Sequence, residues 1–216
     1  MEKAYVLNLK HRTDRWEQIQ KDFADVPLIL ERVDGVVLDD PTISQRDRGY
    51  LGVAYTHIQL VTEAKARGDK TILILEDDCI LEPDGWKNWI NIKNYLDNHL
   101  DLWEVFNGGI VSPGDIHNVI KLNGLFLVKN TGGGGCYFFY INVDKAYHKI
   151  VNWVITKQDI DLYYSYHFNY WISYPLIAIQ RNGYSDIDSS DRDWTKRMEM
   201  TKYMCVTKIA HFVKPK

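Results

Sequence analysis

Short apolar runs alternate with longer amphipathic ones through the first half of the chain. Ala4 to Leu9 (AYVLNL) reads as a strand. Thr13-Asp14 then caps a helix to Phe23, with Trp16, Ile19, Gln20 and Phe23 at helical spacing. Leu28 to Val33 is a second strand, leading to Asp34-Gly35, and Val36 to Arg48 reads as a loop because few apolar residues follow Leu38. From about Gly49 to Arg67, Leu51, Ala54, Ile58 and Val61 recur at three-and-four spacing, a helix stopped by Gly68. Ile72 to Leu75 is a continuous apolar run, the mark of a strand buried on both faces. A turn at Pro83-Asp84-Gly85, an amphipathic helix from Trp86 to Leu100 and a strand from Leu102 to Phe106 follow. Val119 to Leu122 and Leu125 to Val128, on either side of Asn123-Gly124, form a hairpin.

The second half is less regular. Four glycines, Gly132 to Gly135, precede a strand from Cys136 to Ile141, and Asp144 caps a helix to about Val154. The glycines let backbone approach a ligand or serve as a flexible connector; no Gly-Lys-Ser/Thr follows, so they match no phosphate loop. Asp159-Ile160-Asp161 leads into an aromatic-rich segment from Tyr163 to Trp171 and a strand around Leu176 to Gln180. The tail carries Ile209-Ala210-His211-Phe212 ahead of Lys214-Pro215-Lys216. This order of elements predicts an α/β fold with a mostly parallel sheet and an antiparallel addition.

Composition narrows the class. With 216 residues, 45% of them hydrophobic, the chain is long enough for one sizeable core. A net charge of −3 without a basic block argues against a nucleic-acid or membrane surface. Three widely spaced cysteines and no CxxC pair suggest reduced thiols in a cytoplasmic setting. The opening MEKAYVLNL is too short an apolar run for a signal peptide, and no stretch approaches a membrane span. Monomer is the default state.

The chemistry concentrates after the apolar run. Glu76, Asp77 and Asp78 stand side by side, and such acids repel one another unless a cation or strong donors sit among them. Ligands of open α/β sheets bind outside the carboxyl ends of the strands, where these acids fall. Hard oxygen ligands suit Mn²⁺ or Mg²⁺, which in turn holds a diphosphate; a solvated acidic turn is the other reading. Arg12 and Arg15 lie close to the end of the first strand, placed for phosphate or a base edge, or as ordinary solvated charges. His57, on the long helix, has the pattern of a buried structural donor more than of a catalyst.

VLNLKHRTDR near the start, Thr56-His57 on the next long helix and then LILEDD together resemble glycosyltransferase family 25, which includes bacterial lipopolysaccharide-type sugar transferases, procollagen galactosyltransferases and capsid-sugar enzymes of large DNA viruses. FNGG, GGGGCYFFYINVDKAYHKI, Asp159-x-Asp161 and YPLIAIQ followed by YSDID are compatible in order. The chain departs from the family in having Thr56 where Ser is usual, Gly52-Val53-Ala54 where a Cys is common, and the glycine loop.

The resemblance implies an A-type glycosyltransferase fold: one domain, with a Rossmann-like nucleotide-sugar-binding part over about 1–110 and a mixed or antiparallel acceptor part over about 111–216. It implies inverting, Mn²⁺- or Mg²⁺-dependent transfer of a hexose or deoxyhexose from a UDP-sugar to a hydroxyl of a glycan or glycoprotein. On that basis Asp78, then Glu76, would ligate the metal, with His211 as a third ligand. Leu9, Arg12, Arg15, Asp34, Gly35, His57, Asp77, Asn107 and Gly108 would receive the donor, Asp77 at the ribose. Asp161, with Asp159 behind it, would be the general base; their other reading is a helix cap before Leu162 to Tyr166. If the protein is viral, its compartment would be the host cytoplasm. Two other classes compete: a non-catalytic domain of the same fold that binds nucleotide sugar or glycan, and a nucleotidyltransferase, disfavoured because no Gly-rich, Lys-bearing signature stands near the start.

Overall fold

The structure is a computed structural model, and it describes residues 2–135, 137–155, 158–187 and 189–213, with the side chains of Val154 and Ile155 excepted. Cys136 and Lys214-Pro215-Lys216 lie outside the described residues. In chain order the elements begin with β1 (Glu2–Asn8), α1 (Thr13–Asp22), β2 (Leu28–Asp34), α2 (Gln45–Arg67), β3 (Thr71–Glu76), β4 (Cys79–Leu81) and α3 (Gly85–Asp97). Next come β5 (Val105–Asn107), β6 (Asp115–Leu122), β7 (Leu125–Thr131), β8 (Phe138–Asn142), α4 (Val143–Val151) and α5 (Ile160–His167). The chain closes with β9 (Tyr170–Tyr174), β10 (Ala178–Gln180), β11 (Gly183–Ser185), β12 (Ser190–Arg192) and α6 (Thr195–Phe212).

The fold is α/β, built on a mixed eight-stranded sheet in the order β2-β1-β3-β8-β5-β9-β7-β6. It is not mostly parallel. β1 pairs parallel with β2 and β3, and β5 with β9, while β8 runs antiparallel between β3 and β5 and the β7–β6 hairpin closes the far edge antiparallel to β9. The sheet therefore runs without a break through the two parts expected from the sequence. β8 is buried along its whole length, as a strand inside a sheet covered on both faces must be. Trp89 of α3 packs edge-on against Phe138 and Tyr140, ring centroids 5.1 and 5.0 Å away.

Several boundaries depart from the sequence reading for local reasons. α2 begins at Gln45, inside the expected loop, because the Ser44 hydroxyl accepts from the Asp47 amide at 3.1 Å and caps it. Gly68, at φ 81°, ends α2 as expected, and Asn123 and Gly124, at φ 45° and 86°, make the hairpin turn. α4 is capped by Asn142, whose side chain accepts from Lys145, rather than by Asp144. Leu102–Glu104 lies outside any strand, and the strand there is the shorter β5. Cys79 and Cys205 are free thiols, and both are buried. Among the described residues no helix is long and apolar enough to cross a membrane.

Candidate functional site

β1, β2 and β3 point their carboxyl ends at the same edge, with Asn8 opposite Asp34 and Leu7 opposite Glu76 in the strand register. A cavity of about 720 Å³ opens there. Its floor is Leu7, Asn8, Leu9 and the three acids; one wall is residues 35–39 with the first turns of α2, and the other is drawn from Gln180, Arg181, Gly183, residues 185–187, Arg192 and Trp194. Two details bring α2 to this edge. A Cβ at Gly52 would stand 2.3 Å from the Val36 carbonyl oxygen, so only glycine permits the approach. The Thr56 hydroxyl accepts from the Val36 amide at 2.9 Å and donates to the Gly52 carbonyl at 2.7 Å.

The acids do not continue the strand. β3 ends at Glu76 and the chain turns at Asp77-Asp78 into β4, so the alternation that would put residues 76 and 78 on one face stops there. Arg15 reaches both aspartates instead: its Nη1 lies 2.7 Å from Asp77 Oδ1 and 3.5 Å from Asp78 Oδ2. Asp77 also accepts from Asn8 Nδ2 at 2.6 Å. Asp78 Oδ2 accepts from Gln180 Nε2 at 3.1 Å, while its Oδ1, buried, has no hydrogen-bond partner among the described residues. Burial pushes the Asp78 carboxyl up to about 6; the charge of Asp77 adds to this, and Arg15 only partly offsets it. Gln180 is where it is because β10 pairs with β4, Gln180 opposite Cys79, and the Arg181 amide donates to the Asp78 carbonyl at 2.8 Å.

Of the expected site residues, the cavity gathers Leu9, Arg15, Gly35, Glu76, Asp77 and Asp78. Arg12 is turned aside: its guanidinium holds Asp14 at 2.7 and 2.9 Å and Asp186 at 2.5 Å. Asp34 is exposed at the end of β2 and does not line the cavity. His57 is fully buried, Nδ1 3.2 Å from the Tyr164 hydroxyl and its ring edge-on to Phe139. Asn107 is also buried and clamps the chain, donating to the Gly135 carbonyl at 2.7 Å and the Tyr170 hydroxyl at 2.8 Å. Gly108 is a packing glycine, since a Cβ there would meet Phe138 at 2.5 Å.

Asp161 and Asp159 do not line the cavity. Asp161 accepts from the Gly135 amide at 2.8 Å and from the Leu162 amide at 2.7 Å, which ties the glycine loop to the start of α5. Burial raises its pKa and the two backbone donors lower it, with a net rise. Asp159 stands at the cap position of α5 without a side-chain capping bond. His211 is exposed on the last turn of α6, in a shallow depression beside Asp115 and Lys208 of about 330 Å³. That helix packs on β6, at the edge of the sheet far from β3, so His211 is not brought to the acids. Among the described residues, no three of His, Cys, Asp and Glu cluster as a metal site.

The sequence pattern does not single out Gln45, Arg48, Gln180, Asp186, Ile187, Arg192 or Trp194, all of which line the cavity. Asp186 and Ile187 follow β11 directly and line this wall. Asp186 pairs with Arg12 and lies 3.2 Å from His11 Nε2, the Tyr184 carbonyl accepts from Arg15 at 2.5 Å, and Ile187 packs on Gly49. The YSDID stretch is the available signal for this wall.

No protein-family model matches the chain, and no curated protein does. Among solved structures, the chain is similar to a glycosyltransferase involved in the glycosylation of the major capsid of PBCV-1, at 12% identity over 92% of this chain and 98% of that one, with a TM-score of 0.47. It is also similar to mannose-1-phosphate geranyltransferase from Thermus thermophilus, at 10% identity over 83% of this chain and 74% of that one, with a TM-score of 0.41. Likenesses this distant add nothing to the reading of the site.

Proposed function

We propose that this chain is an A-type glycosyltransferase, of the kind family 25 represents, that moves a hexose or deoxyhexose from a UDP-sugar to a hydroxyl of a glycan or glycoprotein. The observation that carries this reading is a buried carboxylate oxygen without a donor, Asp78 Oδ1, in a residue that lines a cavity of about 720 Å³ at the carboxyl ends of parallel strands.

The donor set suits a hard divalent cation, Mn²⁺ or Mg²⁺. Asp78 offers an unpartnered anionic oxygen, Glu76 lines the same floor, and such ions are commonly held by one or two carboxylates plus substrate phosphates. When bound, the cation would act as a Lewis acid for the departing diphosphate. Arg48 and Arg192, on opposite walls, are assigned to the diphosphate oxygens, a role their planar guanidinium groups suit. Leu9 and Gly35 present backbone to the nucleoside. Arg15 holds Asp77 and Asp78 in place rather than meeting phosphate itself. Asp161 is assigned to the glycine loop, because both its oxygens are engaged by backbone amides. These residues account for the leaving-group half of an inverting transfer.

The placement of Asp161 favours a second reading, a domain that binds nucleotide sugar without turnover. Release of UDP from UDP-hexoses in the presence of Mn²⁺ and glycan acceptors separates the two. In an enzyme, Asp78→Asn lowers turnover by roughly a hundredfold or more. UDP binding with no release from any donor would leave the binding domain standing, and an undiminished Asp78→Asn rate would remove Asp78 from the site.

A further inference from the structure

A second donorless oxygen belongs to Asn8, the last residue of β1, which lines the same cavity. Its side chain is 2% exposed, and its Oδ1, like that of Asp78, has no hydrogen-bond partner among the described residues. The amide's orientation is not arbitrary. Nδ2 donates to the Arg12 carbonyl at 3.0 Å and to Asp77 Oδ2 at 2.6 Å, and both partners only accept. Turning the amide over would set its oxygen against two other oxygens, so Oδ1 is fixed as the atom left over.

The donors that reach these residues are directed at other atoms. Arg15 gives Nη1 to the two aspartates and Nη2 to the Tyr184 carbonyl, and Gln180 serves the other oxygen of Asp78. Asn8 and Asp78 both line the cavity, and each keeps a buried acceptor, one neutral and one anionic, without a donor; a buried acceptor left alone is costly. A divalent cation held between them would satisfy both, and amide oxygens are ordinary ligands for hard ions. A pair made of one carboxylate and one amide also does not require three clustered His, Cys, Asp or Glu side chains.

We propose that Asn8 Oδ1 is a ligand of the divalent cation that Asp78 holds, and that Asp77 is a positioning residue that orients Asn8 through its Nδ2. This inference rests on the cation site proposed above. It gives the two aspartates of the acid triplet separate roles. Asp78 binds, and Asp77, locked between Arg15 and Asn8, aims the second ligand.

The test is Mn²⁺ binding by electron paramagnetic resonance on the full chain, alone and with UDP, for wild type, Asn8→Ala and Asn8→Cys, each checked for an unchanged melting curve. Wild type is expected to bind, and Asn8→Ala to bind more weakly by roughly tenfold or more. Asn8→Cys replaces the hard oxygen by a soft sulfur. It is expected to lose Mn²⁺, to take Cd²⁺, and to show a thiolate-to-cadmium charge-transfer band in the ultraviolet. Wild type, with Cys79 buried beside Asp78, is the control that must lack the band. Asn8→Ala binding Mn²⁺ as wild type does would overturn the inference. So would Asn8→Cys losing Mn²⁺ with no cadmium band, since Asn8 would then only position Asp77. If wild type binds no Mn²⁺ even with UDP, the proposed cation and this inference fall together, while UDP binding measured without metal still reports on the nucleotide site.

Discussion

Asp77 and Asp78 are neighbours with different fates. One is held by an arginine and an amide, the other keeps a bare buried oxygen, and the sequence shows neither arrangement. The same difficulty explains which site residues the sequence misplaces. Arg15 and the acids are legible because strand ends converge by topology, but whether a polar side chain finds an internal partner is settled by packing. Asn107, Asp161 and Arg12 each find one. His57 shows the consequence most directly, since burial pushes its pKa down to about 3. The folded state refuses a proton that the unfolded chain accepts below about 6.5. The histidine therefore costs nothing above that pH, and stability falls as pH drops toward 3, by up to about 1.4 kcal/mol per pH unit. Melting curves across that range should show a slope that His57→Gln lacks. An equal slope in the variant would mean that His57 is not the group responsible.

Among the elements, α2 and α6 depart from the sequence reading in different ways. The polar first turn of α2 hides its start, although Ser44 followed by Asp47 is a capping signal. The sequence reading assigns no element to the end of the chain, yet Met198, Thr201, Cys205 and Ile209, spaced three or four apart, form the buried face of α6. The first turns of α2 matter for function because they form a wall of the cavity. Gly52→Ala would drive a methyl group into the Val36 carbonyl, a backbone atom that cannot step aside as a flexible side chain would. The expected cost is about 1–3 kcal/mol of stability, read from denaturant unfolding, together with weaker nucleotide binding as the wall shifts. Full stability in Gly52→Ala would show that α2 has room to move at this edge.

Over the whole molecule, the parallel part is readable because β1, β2 and β3 are apolar runs separated by helices and punctuated by Gly and Asp. In the second half the β6–β7 hairpin, β8 and β10 are readable as strands, but the place of β8 between β3 and β5 is set by topology, and β9 hides in an aromatic-rich stretch with no clear period. The parallel strands nevertheless aim their ends, and with them Asn8, Gly35 and the acids, at one cavity that Gly183, Ser185, Asp186, Ile187 and Arg192 line from the other side. The central claim is that this cavity binds a nucleotide diphosphate through a divalent cation. Calorimetric titration of UDP, GDP, CMP and dTDP into the protein, with Mn²⁺ and with chelator, tests it directly. The account predicts saturable UDP binding with Mn²⁺ that chelator weakens by roughly tenfold or more. Equal UDP affinity in chelator would contradict the cation, and no binding of any of the four with Mn²⁺ present would contradict the nucleotide site itself.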